Sequence, residues 1–145
     1  MELDALYQDV ILDHYKHPQN KKLSTTYDAQ VHHVNPSCGD EITLNLTIKN
    51  GIVEDVTWDG VGCSISQASV SIMSDLLKNK TVDQAGVIEK EFLDLMQSKG
   101  SKTGDDELLE DAVALAGVSK YPARIKCALL GWMAFKDAAV QASAK

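Results

Sequence analysis

One stretch of alternating apolar and polar residues, interrupted by Asn50-Gly51, constrains the fold of this chain most strongly. Ile42 begins the alternation, which runs through residue 48, resumes at Ile52 and ends at Trp58. Such alternation is typical of strands with one buried face. Asn-Gly accepts the positive φ angles that a type I′ turn requires, so residues 42–58 predict a β-hairpin.

The rest of the pattern predicts an α+β fold in one compact domain of residues 1–145. Residues 27–34 read as a further extended segment, which gives a three-stranded antiparallel sheet with one face for helices to cover. Apolar residues at helical spacing predict helices over residues 2–16, 65–76, 81–98 and 108–116, and a long last helix beginning at Pro122. Residues 59–62 are expected to break the third strand, and Gly117 is expected to end the fourth helix. His14 is expected to be a packed side chain.

Composition excludes two classes of protein. The formal net charge of -7 opposes binding to nucleic acid, because no run of Lys or Arg supplies a basic patch. The apolar stretches are shorter than the roughly 20 residues that span a bilayer, and the amino terminus does not resemble a targeting signal. We expect a cytoplasmic protein that does not enter the membrane.

The chain has three cysteines, an odd number without a CxxC pair. In a reducing compartment, such cysteines are expected to be free thiols, metal ligands or nucleophiles rather than members of a disulfide framework. The alternative is that each is a buried small apolar side chain, as free cysteines often are.

Each cysteine has surroundings that favour chemistry. Cys38 lies in the turn Asn35-Pro36-Ser37-Cys38-Gly39-Asp40, two residues before a carboxylate. Cys63 follows Gly60-Val61-Gly62 at a predicted helix amino terminus, where backbone N–H groups favour a thiolate. Cys127 falls in the second turn of the predicted last helix, flanked by Arg124 and Lys126, and these cations also favour a thiolate. It falls outside the apolar stripe of that helix, which is Ile125, Ala128, Leu129, Trp132, Phe135 and Ala139, although a packed cysteine remains an alternative.

Together these residues predict a metal site. Three thiolates and the carboxylate of Asp40 fill the four positions of tetrahedral Zn²⁺. Soft sulfur ligands also suit an iron–sulfur cluster. The set carries excess negative charge, which the guanidinium of Arg124 would reduce.

The cysteine motifs resemble those of a known family. The segments Asn35–Asp40, Gly60–Ser66 and Arg124–Leu130, in this order, are similar to the three cysteine motifs of the NifU amino-terminal, or IscU-like, family of iron–sulfur assembly proteins. The opening segment Leu6–Pro18 is also similar, so the resemblance covers nearly the whole chain.

Two departures from IscU indicate the SufU branch of that family. Lys126 stands where IscU has a histidine, and Lys120–Arg124 replaces its chaperone-recognition segment. Residues 94–111 resemble the SufU insertion. The resemblance implies zinc bound by four ligands, sulfur received from a pyridoxal-phosphate cysteine desulfurase of the SufS type, and delivery to downstream iron–sulfur assembly proteins. The implied ligands are Cys38, Asp40, Cys63 and Cys127.

Thiolate exchange gives the functional hypothesis. A persulfide presents an electrophilic outer sulfur that a thiolate attacks. Cys38 is the first choice of acceptor because it lies in a turn beside a carboxylate, and Cys127 is the second. One alternative is a scaffold on which a transient [2Fe–2S] cluster is assembled and transferred. Another is a zinc module with a purely structural role.

Overall fold

The computed structural model describes residues 5–144, and the side chains from residue 8 onward. The strands are β1 (Ala29–Asn35), β2 (Asp40–Lys49) and β3 (Ile52–Val61). The helices are α1 (Ala5–Lys16), α2 (Ser64–Leu77), α3 (Val82–Met96), α4 (Asp106–Leu109), a 3₁₀ helix (Glu110–Lys120) and α5 (Pro122–Ser143). This is the predicted α+β fold in one compact domain, although residues 2–4 of the first predicted helix lie outside the described residues.

The sheet is antiparallel in the order β1-β2-β3, as predicted. Asn50 and Gly51 both have positive φ angles, 55° and 74°, which confirms the type I′ turn. The expected break at residues 59–62 begins too early: β3 continues through Gly60, which pairs with Ile42, and ends at Val61. A Cβ atom on Gly60 would overlap the carbonyl oxygen of Glu41, so the glycine permits close pairing at this point.

The core lies between one face of the sheet and the helices. Helix α5 packs across β1 and β2, while α2 packs beside α5 and against β3. Leu44 and Trp58, which are paired across β2 and β3, are fully buried. The rings of Phe92 and Trp132 stack at a centroid distance of 4.2 Å, which joins α3 to α5. These contacts fix α5 over the end of the sheet where β2 begins.

The buried surface of α5 includes part of the predicted stripe, since Ala128, Trp132 and Phe135 are buried, but it extends beyond that stripe. Cys127, Leu130, Ala134 and Ala138 are all buried, together with Gly131 between them. The expectation that Cys127 lies outside the core stripe is therefore wrong, and the packed position was the correct alternative. Gly131 lies where α2 crosses α5 closely, beside Val70.

The segment between α3 and α5 also differs from prediction. Instead of an α-helix ended by Gly117, it contains the short α4 and a 3₁₀ helix that passes through Gly117 to Lys120. Glu110 adopts a positive φ of 48°, which interrupts α-helical geometry between the two.

His14 attaches α1 to the core, as predicted for a packed histidine. Its Nδ1 lies 2.8 Å from Ser71 Oγ and its Nε2 lies 3.4 Å from Asp111 Oδ2. The first contact joins α1 to α2 and the second joins it to the 3₁₀ helix. Within residues 5–144, no helix combines the length and the apolar character needed to cross a membrane.

The crossing of α2 and α5 gives a prediction about stability. A Cβ atom at Gly131 would lie 2.7 Å from Cβ and 2.8 Å from Cγ2 of Val70. We expect Gly131→Ala to lower the free energy of unfolding by about 1–3 kcal/mol, because the helices must separate. Gly86→Ala in α3 is the control, since no heavy atom lies within 4 Å and alanine favours helix by up to about 1 kcal/mol. Urea denaturation tests both variants, and equal loss in the two would contradict the prediction.

Candidate metal centre

Three separate elements bring thiols and a carboxylate to one end of the sheet. Residues 36–39 form the turn between β1 and β2, which carries Cys38 and places Asp40 at the first position of β2. Cys63 follows β3 and is the N-cap residue of α2. Cys127 lies in the second turn of α5, which packs over β1 and β2. Strand register and helix packing therefore bring these residues, which are far apart in the sequence, close together in space.

Cys38, Asp40 and Cys127 form a compact cluster. One ligand atom from each lies within 4.8 Å of the others, and the two sulfur atoms are 3.3 Å apart. Both cysteines are free thiols. Asp40 and Cys127 are 1% and 0% exposed, whereas Cys38 is partly exposed. The cluster thus has a buried side and one thiol near the surface.

Cys63 adjoins this cluster through its main chain. Its backbone N–H donates to Asp40 Oδ1 at 2.9 Å, and its side chain is partly exposed. The 4.8 Å group found among the described residues does not include its sulfur. Three of the four predicted ligands are therefore brought together, and the role of Cys63 as a fourth ligand stays a prediction.

Hydrogen bonds fix the orientation of the Asp40 carboxylate. Besides the Cys63 N–H, Oδ1 accepts from Ser66 Oγ at 3.1 Å, and Oδ2 accepts from Asn35 Nδ2 at 3.3 Å. Sequence reasoning assigned no role to Asn35 or Ser66. Both lie inside the cysteine motifs, three residues from a cysteine, and that spacing was the available signal.

A glycine is required at position 62, because the chain passes directly against Asp40 after β3. Its φ is 154°, and a Cβ atom here would collide with Asp40 Oδ1 and lie 2.7 Å from Ser66 Oγ. Any side chain would therefore displace the carboxylate or the hydroxyl that orients it. The glycine before Cys63 lets the chain pass directly against the cluster.

The electrostatics of Cys127 differ from the expectation that nearby cations favour its thiolate. Burial raises the pKa of the Cys127 thiol, and its contacts with Cys38, Asp40 and Cys63 raise it further. The opposing cation is exposed: contact with Cys127 raises the pKa of the Arg124 guanidinium. Arg124 thus lies near the cluster, and its part in reducing the negative charge of the cluster stays a prediction, while burial is the largest influence on the pKa of Cys127.

The donor set fits zinc. Thiolates at about 2.3 Å from a tetrahedral Zn²⁺ ion lie about 3.8 Å from one another, close to the 3.3 Å between Cys38 and Cys127. Two donors occupy Oδ1 of Asp40, while Oδ2 accepts a single longer hydrogen bond and retains a lone pair. A buried site with soft ligands and an oriented carboxylate is suited to a borderline-soft cation.

A separate cavity between α3 and α5 has a different character. It has a volume of about 460 Å³, and none of its lining residues, which all lie in the described part of the chain, is cysteine or histidine. Burial raises the pKa of Glu89 there to about 7, against the opposing charge of Lys136. The candidate chemistry of this chain therefore lies at the cysteine cluster.

Comparison with known proteins agrees with this site. The chain is 47% identical over 137 residues to the zinc-dependent sulfurtransferase SufU of Bacillus subtilis, covering 92% of this chain and 89% of that protein. It is 37% identical to the iron–sulfur cluster assembly scaffold protein IscU of Streptococcus pyogenes, covering 94% and 84% of the two chains. It also resembles the crystal structure of FiSufU from Fervidobacterium islandicum AW-1, with 30% identity, a TM-score of 0.83, and coverage of 90% and 94%.

The sequence model of the NifU-like N-terminal domain matches residues 6–128. This range contains all three cysteines, Asp40, Asn35 and Ser66, and the whole sheet. The arrangement of the sheet and the similarity to these relatives lead to the same assignment. The chain belongs to the NifU-like N-terminal domain family.

Proposed function

We propose that this chain is a zinc-dependent sulfurtransferase for iron–sulfur cluster assembly. In this proposal it accepts persulfide sulfur from a pyridoxal-phosphate cysteine desulfurase of the SufS type. The observation that carries the proposal is the pairing of a partly exposed thiol, Cys38, with a buried thiol, Cys127, 3.3 Å away and beside a buried carboxylate. The similarity to SufU of Bacillus subtilis, which is named a zinc-dependent sulfurtransferase, supports it.

The proposed metal ligands are Cys38, Asp40, Cys63 and Cys127. Zinc bound there would keep the thiols deprotonated and shield them from oxidation until sulfur is delivered. The chain's own part is to orient this set: the Cys63 N–H and Ser66 hold Asp40, and α5 holds Cys127 in the core.

Cys38 is the proposed acceptor. Its thiolate attacks the outer sulfur of the donor persulfide, forming a bond between Cys38 Sγ and that sulfur while the donor S–S bond breaks. The donor cysteine leaves as a thiolate, and the proton of the persulfide stays with the transferred sulfur. The step is an exchange, so it needs no added oxidant or reductant. Partial exposure lets Cys38 meet a second protein, which full burial denies to Cys127.

Arg124 is the proposed contact for the approaching group. It is exposed, yet its guanidinium lies close enough for Cys127, Cys63 and Cys38 to raise its pKa. A positive charge at the mouth of the site would stabilise the thiolate that leaves the donor cysteine and offset the charge of the site's own thiolates. The segment 94–111, which we propose to be the SufU-type insertion, contributes Asp111 to the contact with His14 on α1.

A second candidate function is a scaffold for a transient [2Fe–2S] cluster. The similarity to IscU of Streptococcus pyogenes, which is named a scaffold, favours it, and cysteine ligands also suit such a cluster. Lys126 is exposed and offers no ligand in the position next to Cys127. Metal analysis after anaerobic purification separates the two: stoichiometric zinc supports sulfur transfer, and a labile transferable cluster supports the scaffold.

Desulfurase turnover tests the proposal directly. We expect the zinc-loaded chain to increase the rate of alanine formation by a SufS-type desulfurase several-fold, because it removes the persulfide that blocks the next cycle. Arg124→Ala should reduce this increase, whereas Lys126→Ala should retain it, since both cations are exposed and it is Arg124 that contacts Cys127. Turnover unaffected by the wild-type chain would instead support a structural zinc module.

A further inference from the structure

Asn35 is a buried residue beside the cluster, and the proposed chemistry assigns no role to it. It is the last residue of β1, is 7% exposed, and pairs with Asp40 across the sheet. A buried asparagine side chain is retained where its polar atoms are satisfied, because burying an unpaired amide is costly. Its partners therefore indicate what it does.

A single residue, Asn35, contacts three members of the cluster. Its Nδ2 lies 3.3 Å from Asp40 Oδ2 and 3.8 Å from Cys127 Sγ, and its carbonyl accepts from the Cys38 N–H at 3.2 Å. The amide nitrogen carries two hydrogens, so it can donate to the carboxylate and the sulfur at once. The side chain restrains Cys127 and Asp40, while only the backbone contacts Cys38.

This difference separates the two thiols. A hydrogen bond from an N–H group stabilises a thiolate and withdraws electron density from the sulfur, which makes it a poorer nucleophile. Cys127 receives such a bond and is fully buried, whereas Cys38 lies in a turn and is partly exposed. The Asn35 amide thus acts on the thiol that should stay in place.

We propose that Asn35 is a positioning residue that holds Cys127 and Asp40 as the fixed members of the site and so leaves Cys38 as the thiol that accepts sulfur. The inference rests on the proposed function and adds to it the order in which the thiols become available. It predicts that loss of the amide loosens the fixed members and exposes Cys127 to reagents.

Two variants separate this role from simple packing. Asn35→Ala removes the amide, and Asn35→Asp keeps its size but replaces both donors with an acceptor that repels Asp40 and the thiolate. Asn45→Ala is the matched control, because Asn45 is also buried in the sheet, at 2% exposed, and bonds to the Ser24 carbonyl and Gln30. It lies five residues along β2 from Asp40, about 17 Å away.

Two measurements on zinc-loaded protein provide the test. We expect both Asn35 variants to release zinc to a chromogenic chelator about tenfold faster than wild type, the lower end of the effect of losing a residue that supports metal ligands. Mass spectrometry after maleimide treatment should show faster labelling of Cys127 in both variants. Asn45→Ala should lose stability but match wild type in zinc release and in labelling.

The outcomes distinguish this inference from the proposed function. If wild type binds zinc and accepts persulfide sulfur but the Asn35 variants release zinc and label at wild-type rates, the inference alone is overturned. If wild type binds no zinc, or accepts no sulfur, the proposed function fails first. Should neither variant fold, the wild-type chain still decides: labelling of Cys38 before Cys127 supports the proposed order, and the reverse overturns it.

Discussion

Replacing Cys38 with alanine is expected to abolish persulfide acceptance by this chain. Cys38 is partly exposed in the turn before β2, while Cys127 beside it is fully buried, so no second thiol of the pair can meet the donor sulfur. We expect transfer to fall at least about 100-fold, equivalent to about 2.7 kcal/mol of lost transition-state stabilisation. The measurement is the mass gain of one sulfur atom per chain after incubation with the desulfurase and cysteine.

Ser37→Ala is the matched control for this variant. Ser37 precedes Cys38 in the same exposed turn, so its replacement perturbs the same backbone without removing a thiol. It should accept sulfur at the wild-type rate. Normal acceptance and transfer by Cys38→Ala would show that another cysteine is the acceptor, and the proposed division between the thiols would then be wrong.

The parts of the fold that depend on local chemistry could be predicted from the sequence. The type I′ turn depends only on the φ angles of Asn50 and Gly51. The start of α5 at Pro122 depends only on the fact that proline has no N–H group to leave unpaired. Thr81-Val82-Asp83-Gln84 has the local sequence pattern of a capping box, and both hydrogen bonds of that box form. None of these features depends on a distant part of the chain.

The wrong expectations depend on contacts between distant segments. The expected break at residues 59–62 begins too early, because Gly60 still pairs with β2 and lies against the Glu41 carbonyl on that strand. The largest residues of α5, Trp132 and Phe135, are buried as expected, but its buried surface also extends over the side where α2 approaches so closely that Gly131 lies against Val70. Cys127 was therefore assigned to the wrong face, although its membership of the cluster was anticipated.

The candidate ligands of the site could be proposed from the sequence, but the hydrogen bonds that connect them could not. Three thiols and one carboxylate in distinctive surroundings sufficed to propose Cys38, Asp40, Cys63 and Cys127. The fold brings Cys38, Asp40 and Cys127 into one cluster, and the role of Cys63 stays a prediction. The hydrogen bonds of Asn35 and Ser66 to Asp40 depend on strand register and on the entry of α2, so they required coordinates. The raised pKa of Cys127 likewise follows from burial, which its charged sequence neighbours do not reveal.

Replacing Cys127 with alanine is expected to abolish the stabilisation of the chain by zinc. Zinc that binds only the folded state stabilises it by about 2.7 kcal/mol at a free concentration 100 times Kd, which corresponds to a rise in Tm of about 8 °C for a chain of this size. Cys127 is the buried thiol of the pair and cannot be replaced by solvent without opening the core. Differential scanning calorimetry with and without zinc measures the gain in Tm.

The zinc-free proteins show whether this effect belongs to the metal site. Without zinc, Cys127→Ala removes one buried atom and should cost about 1 kcal/mol, comparable to loss of one buried methyl group. Val56→Ala, in the buried middle of β3, should lower the stability of both forms equally and leave the gain from zinc unchanged. A full gain in Tm from zinc in Cys127→Ala would place the metal elsewhere.

A diminished gain in Tm from zinc in Cys63→Ala would support Cys63 as the fourth ligand, because its sulfur lies beside the cluster and contributes to the raised pKa of Cys127.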